Sequence, residues 1–374
     1  MLRALKRISI LLAKQYASIG GQAVIEGVMM RSPNAFVVAV RKADGKIRLR
    51  RDQWFGISQK FSFLKKPFLR GVVVLIETMA NGIVSLNYSA NIALDEELKA
   101  EALKKGKTLE EYESEKKRRE KLDLTTFFTV ATSLVFGLTL FVFVPHAATE
   151  GMNLWFNLGW KLDGFLFHFI DGTIKAFIFV FYIWMISLIP EIKKVFQYHG
   201  AEHKSIATFE AGEELNVDNA GRHSKLHPRC GTSFIFFLLF ISIILFSVIF
   251  AAYPVGQNLD RIPKHLVAIL VKIAFMLPVA SISYEMIKLA GKYPKNILGR
   301  VLSFPGMVLQ RLTTKEPTDE QLEVALCSIK AVLFLEEKYH LKEAQNKVLT
   351  IEEIDIDSIN DIEGANASLK DFLE

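Results

Sequence analysis

Four apolar stretches, each long enough to cross a lipid bilayer as a helix, constrain this chain more than any other feature. Thr125–Pro145 (TTFFTVATSLVFGLTLFVFVP) and Ser233–Tyr253 carry no charge. Phe165–Pro190 carries only Asp171 and Lys175, and His265–Leu289 carries Lys272, Glu285 and Lys288. A hydrocarbon core of about 30 Å takes roughly 20 such residues in a helix. Lipid offers the backbone no partners, so only helices and closed barrels span it, and these runs lack the alternation of barrel strands. The expected fold is an α-helical integral membrane protein with about four transmembrane helices over residues 125–290.

Lysine and arginine in the connections set the expected orientation. Leu94–Leu124 is densely basic, and His146–Gly164 holds only Lys161. The loop 191–232 holds Lys193, Lys194, Lys204, Arg222, Lys225 and Arg229, and the chain after Leu289 is basic again. That alternation predicts a multi-pass protein of the cell inner (cytoplasmic) membrane with both termini and the 191–232 loop in the cytoplasm. The net charge of +6 then reflects orientation. No stripe of interleaved arginine and aromatic residues points to nucleic acid. Two cysteines facing a reducing compartment argue against a structural disulfide.

Outside the spans the pattern divides the chain further. Residues 1–19 form a basic amphipathic segment on the inner leaflet, its apolar centre too short for a signal peptide. Residues 20–67 form a small β-rich cytoplasmic region, with Asp44-Gly45 as a hairpin turn between partly alternating runs. Residues 68–124 hold an amphipathic helix and then a charged one. Glu77, Asn81, Ser85 and Tyr88 make one polar stripe, suited to an interfacial helix or to one facing a polar cavity. Residues 291–350 are cytoplasmic helices, including one opened by a Thr318–Gln321 capping box. Its apolar stripe from Leu322 to Leu333 needs a partner surface, and a protein partner is the expectation. Residues 351–374 read as an acidic mobile tail.

The chemistry concentrates in the 191–232 loop, which holds four of the eight histidines and one cysteine. His199 and His203 stand four apart, on one face of a helix, and two imidazoles so placed can bind one metal ion. Glu202 between them completes H-x-x-E-H, the inverted zinc-protease signature, in which the glutamate is the general base. His223 and His227 are again four apart, and His227-Pro-Arg-Cys230-Gly231 has the shape of a zinc knuckle. Imidazole and thiolate are ligands that zinc prefers. The alternative is that these side chains serve the headgroup interface or cap helices, and His223 is the first candidate for that. Glu285, near the cytoplasmic end of the last span, either supplies a late carboxylate ligand or pairs with Lys288 or Lys292. Gly20, Gly21 and Gly27, near Glu26 and Arg31, lack a following Lys-Ser or Lys-Thr and read as packing glycines rather than a phosphate loop.

The strings GGQAVIEGVMMRSP (20–33), YHGAEHK (198–204), HPRCGTSF (227–234), ISYE (282–285) and LTTKEPTDEQLEVAL (312–326) together resemble the YqhQ-like family of bacterial membrane proteins. The resemblance runs from about Gly20 to about Glu336 and implies an inner-membrane protein. It also implies the family's description as predicted metal-dependent enzymes, without a substrate. The family's motif positions fall on Glu26, Arg31, His199, Glu202, His203, His227, Arg229, Cys230 and Glu285.

Two functions fit these residues. One is a zinc-dependent hydrolase at the membrane surface. In it His199 and His203 bind zinc, Glu202 is the general base, and His227, Cys230 or Glu285 completes the site. Arg229 then suits an anionic lipid headgroup. The other is a non-enzymatic scaffold, assembly factor or transporter whose zinc, closed by four protein ligands, locks the loop.

Overall fold

A computed structural model describes residues 19–33, 35–53, 61–105, 108, 111–112, 124–228, 230–254, 256, 258–292, 296–342 and 352–362. The basic amino-terminal segment and most of the charged stretch beyond Lys105 lie outside the described residues.

The amino-terminal β region is an antiparallel meander of β1 (Gly20–Val24), β2 (Gly27–Arg31), β3 (Ala35–Arg41) and β4 (Ile47–Gln53). The Asp44-Gly45 turn joins β3 to β4. Gly45 sits at φ +87°, a left-handed conformation that a β-carbon would oppose. A fifth strand, β5 (Glu352–Ile356), pairs with β4, contrary to the expectation that the chain is mobile from residue 351. Its register explains why. Arg48, Arg50 and Arg51 stand opposite Asp355, Glu353 and Glu352, while Ile47 and Leu49 stand opposite Ile356 and Ile354. Opposite charges facing across a strand pair stabilise it, and Arg48 grips Asp355 with two hydrogen bonds of 2.8 and 2.9 Å. The acidic segment is a strand because a basic strand awaits it. Residues 363–374 lie outside the described residues.

Strands β2 and β3 read as almost unbroken apolar runs because both faces of the sheet are covered. One face, with Val28, Met30, Val37, Ala39 and Leu49, packs on helices α5 (Pro190–Ala211) and α10 (Asp319–Lys342), numbered by chain order below. The other, with Met29, Phe36, Val38 and Val40, meets Tyr88 and Ile92 of α1 (Leu69–Lys104). The expected capping box opens α10, with reciprocal bonds between Thr318 and Gln321 of 3.0 and 3.3 Å. The stripe from Leu322 to Leu333 thus finds its partner surface within this protein, on the sheet.

The remaining helices are α2 (Leu124–Leu138), α3 (Val144–Trp155), α4 (Phe165–Ile186), α6 (Val217–Arg222), α7 (Gly231–Ala252), α8 (Arg261–Lys292) and α9 (Ile297–Thr313). A π-helical turn, Thr139–Phe143, runs α2 into α3. Among the described residues five helices are long and apolar enough to cross a membrane, one more than the sequence expectation. The addition is α1. Its stripe of Glu77, Asn81 and Ser85 is buried, with Arg31 of β2 on Glu77 at 3.1 Å and the Ile25 amide donating to Ser89. With Glu77 and Ser89 matched by the sheet on one side, Ile76, Met79, Ile83 and Val84 are exposed on the other. The remaining bundle is built on α7, which packs against α4, α8 and α9.

Candidate metal centre

Helix α5 follows α4 after a short turn, with Pro190 in its first turn, where the missing amide costs nothing. It carries His199, Glu202 and His203 on the side turned towards β1 and α7. Cys230 is the cap residue of α7, its thiol accepting from the amide and hydroxyl of Thr232 at 3.4 and 3.2 Å. One ligand atom each of His199, His203 and Cys230 lies within 4.8 Å of the other two, among the described residues the group suited to a single metal ion. Nε2 of His199 is 3.2 Å from Sγ of Cys230.

Both imidazoles are oriented from behind. Nδ1 of His199 donates to the Thr313 carbonyl at 2.8 Å, and Nδ1 of His203 donates to the Lys225 carbonyl at 2.5 Å. This fixes the tautomer that leaves each Nε2 with a lone pair, the arrangement usual behind metal-ligating histidines. Nε2 of His203 is buried with no hydrogen-bond partner. Such an orphaned acceptor facing a thiol is what a soft or borderline cation would satisfy. The donor set therefore fits zinc.

Burial sets the protonation states. His203 is 1% exposed, and burial holds its pKa far below the usual histidine range, with His199 pushing the same way. Burial takes His227 down to about 4 and raises the Cys230 thiol. Neutral imidazoles are the ligand form, and a metal would displace the thiol proton. Glu202 is 5% exposed, and burial pushes its pKa up to about 8 against the opposing pull of His199 and the Gly21 amide. Its carboxyl lies beside His199 and Cys230 without being one of the three converging atoms.

The other candidates sit elsewhere. The ring of His227 lies 5.7 Å from that of His203, but its Nε2 is 3.5 Å from Glu210 and its backbone is held in both directions by Gln310. His223 lies nearer the surface, 3.0 Å from Glu213. Glu285 accepts from Nε and Nη2 of Arg70 and from the Phe68 amide, away from the His199–His203–Cys230 group. Glu26, at the β1–β2 turn with φ 51°, meets Lys194 and Tyr198 of α5. Arg229 lies outside the described residues.

Two glycines bring backbone against this centre. A β-carbon on Gly200 would fall 2.1 Å from the Lys315 carbonyl, so only glycine lets the 313–317 segment lie along α5 and present Thr313 to His199. A β-carbon on Gly21 would fall 2.7 Å from Cγ of Glu202. Gly27 is equally tight against Ala39, whereas Gly20 faces open space, so the packing role holds for two of the three. Gly21 also lines a cleft of about 360 Å³ whose wall mixes Gln22, Arg31 and Asn81 with Ile19, Met29 and Val74, close to Glu202. Sequence reading missed Thr313, Lys225 and Gln310. Their contributions are carbonyls and a neutral amide, which leave no charge or spacing pattern.

A family model described as "Protein of unknown function (DUF1385)" matches residues 66–334. Uncharacterized protein YqhQ of Bacillus subtilis (strain 168) is 36% identical over 325 residues, covering 85% of this chain and 92% of that relative. No solved structure matches the chain. The match takes in α1 to α10, including every residue of the His199–His203–Cys230 group, and on it the chain belongs to the YqhQ-like family of DUF1385 proteins.

Proposed function

We propose that this is a multi-pass inner-membrane protein holding zinc through His199, His203 and Cys230 at the cytoplasmic border of the bilayer, and that it is a hydrolase with Glu202 as general base. The observation that carries this reading is the convergence of three ligand atoms beside a fourth, carboxylic, side chain that is not one of them. Three protein ligands and an open position are the usual catalytic arrangement. When bound, zinc supplies Lewis acidity to an acyl or phosphoryl oxygen and makes water acidic. Glu202 takes up and returns the proton, a role for which a pKa raised towards neutrality by burial is suited. The cleft behind Gly21 would admit substrate, and Arg31 on its wall suits an anionic lipid headgroup.

The burial of His203 and Glu202 favours a second reading, a structural zinc that ties α5 to α7 and α9 in a scaffold, assembly factor or transporter. Cobalt substitution of the detergent-purified full-length protein separates the two. In an open site, acetohydroxamate shifts the visible spectrum of the cobalt protein, and Glu202→Gln retains one metal per chain while losing hydrolysis of activated esters. A spectrum indifferent to acetohydroxamate, with His227 recruited as fourth ligand, refutes the hydrolase.

A further inference from the structure

A second cluster of ionisable groups lies in the helix bundle, apart from the metal centre. Asp171 of α4 and Lys272 of α8 are 2% and 3% exposed and pair at 2.5 Å. His146 of α3 touches both, with Nδ1 3.4 Å from the Lys272 ammonium and 3.5 Å from Oδ1 of Asp171. Its other nitrogen, Nε2, is 2.8 Å from Nδ1 of His265. Nε2 of His265 in turn lies 3.7 Å from Glu150. Exposure rises along this line, from the buried pair to His265 and Glu150 at 18% each.

Along α8, Lys272 is ten residues in from the start of the apolar span at Ile262, about 15 Å at 1.5 Å per residue, near the middle of a bilayer core. Glu150 is five residues from the Trp155 end of its helix, about 7.5 Å. The line thus climbs from mid-membrane to the end that bears the 156–164 turn. Packing does not need these groups. An apolar set of equal volume would hold three helices at least as well as a buried ion pair, whose desolvation offsets most of its attraction. Charged side chains at this depth mark ion or proton pathways by default. The π-helical turn just before His146, followed by Pro145, is the irregularity that re-aims side chains at functional positions.

We propose that α3, α4 and α8 carry a proton-exchange path, with Asp171–Lys272 as a protonatable centre inside the membrane and His146, His265 and Glu150 linking it to the face of the 156–164 turn. The path rests on reading these helices as membrane-spanning and is independent of the metal. Each imidazole offers one nitrogen to either side. Glu150 gives its proton to Nε2 of His265, the Nδ1 proton of His265 passes to Nε2 of His146, and the Nδ1 proton of His146 passes to Nζ of a neutral Lys272, 3.4 Å away beside Asp171. Every transfer breaks one N–H or O–H bond and makes another, so the charge moves inward without a net change of composition. The groups that face this line are Lys175 and His168 on α4, both buried, and the Asp163–Lys264 pair at its outer end, 3.5 Å apart. Helix α7, packed against α4 and α8, is uncharged throughout. At its buried end one carboxylate, Asp171, stands beside two lysines, Lys175 and Lys272, so that end is near neutral only when one lysine has given up its proton.

The test is infrared difference spectroscopy of the full-length protein in phospholipid bilayers, stepped between about pH 8 and pH 5. The expected result is a shift of the Asp171 carboxylate stretching band as Lys272 gains its charge, a shift that Asp171→Asn abolishes. It appears about a hundredfold more slowly in Glu150→Gln and in His265→Phe, and at the wild-type rate in His223→Ala. Because Glu150 and His265 sit at the partly exposed end, their variants decide the matter even where Asp171→Asn fails to fold. No pH-dependent shift of the carboxylate band in the wild type, or unchanged rates in both outer variants, overturns the path. Flotation of the same samples checks the membrane reading, and wild-type protein that does not float with lipid overturns that reading and the path together.

Discussion

Replacing Glu202 with glutamine in metal-free protein should stabilise the fold by an amount that grows with pH. The carboxyl is buried between β1 and α5, and that burial raises its pKa from 4.5 to about 8. An unfolded chain releases this proton near 4.5, whereas the folded one keeps it to about 8, so the folded state binds more protons throughout that window. Stability therefore falls as pH rises from 4.5 to 8. At about 1.36 kcal/mol per unit, the cost is near zero at pH 4.5, about 3 kcal/mol at pH 7 and about 5 kcal/mol above pH 8. Glutamine keeps the shape and the acceptor for the Gly21 amide but cannot ionise. Thermal unfolding of chelator-treated full-length protein, followed by tryptophan fluorescence from pH 5 to pH 8.5, should show the variant and wild type converging at the acid end. The variant should melt progressively higher towards the alkaline end. Added zinc should shrink or reverse the difference, because a cation beside the carboxylate favours its charged form. A difference independent of pH, or a variant less stable than wild type at pH 8, would refute the placement of Glu202 in a dry, uncompensated pocket.

Three further outcomes follow from the geometry. His203→Ala and Cys230→Ser should each lose the zinc measured by elemental mass spectrometry, whereas His223→Ala, outside the converging group, should retain it. Gly200→Ala puts a methyl against the Lys315 carbonyl, a backbone atom with little room to yield. It should cost about 1–3 kcal/mol and expose the 313–317 segment to limited proteolysis. Asp355→Ala breaks a partly exposed pair with Arg48, worth about 0.2–1 kcal/mol. Its mark should be faster hydrogen exchange of β4 amides with little change in melting temperature.

The apolar spans were legible because twenty uncharged residues in sequence have few folded solutions, and the His199–His203 spacing because helical periodicity is local. The hairpin at Asp44-Gly45 and the box at Thr318–Gln321 were legible for the same reason. What escaped was decided by partners far along the chain. The polar stripe on α1 argued against a span until β2 supplied Arg31 for Glu77. The acidic segment from Glu352 looked unstructured because its complement, Arg48 to Arg51, is some three hundred residues away. Ligand choice was equally nonlocal. His227 and Cys230 are three residues apart, and only the approach of α9, through Gln310 and Thr313, leaves Cys230 facing His199 while His227 turns to Glu210. Glu285, a plausible ligand by sequence, is taken by Arg70 from the start of α1.

The late arrival of β5 also sets an order of assembly. A ribosome releases β1 to β4 early, then takes about 15–60 s to make the roughly three hundred residues that separate β4 from β5. Throughout that interval the β4 edge stays open, and the arginines along it guard against pairing with other nascent strands. The helices that cover one sheet face, α5 and α10, lie on either side of two of the apolar helices, α7 and α8, so the sheet can be sealed only after those have been delivered. Closure by β5 then reports that synthesis has passed residue 356. A chain that stops short of α10 would be left with an uncovered sheet, a ready mark for membrane proteases to recognise.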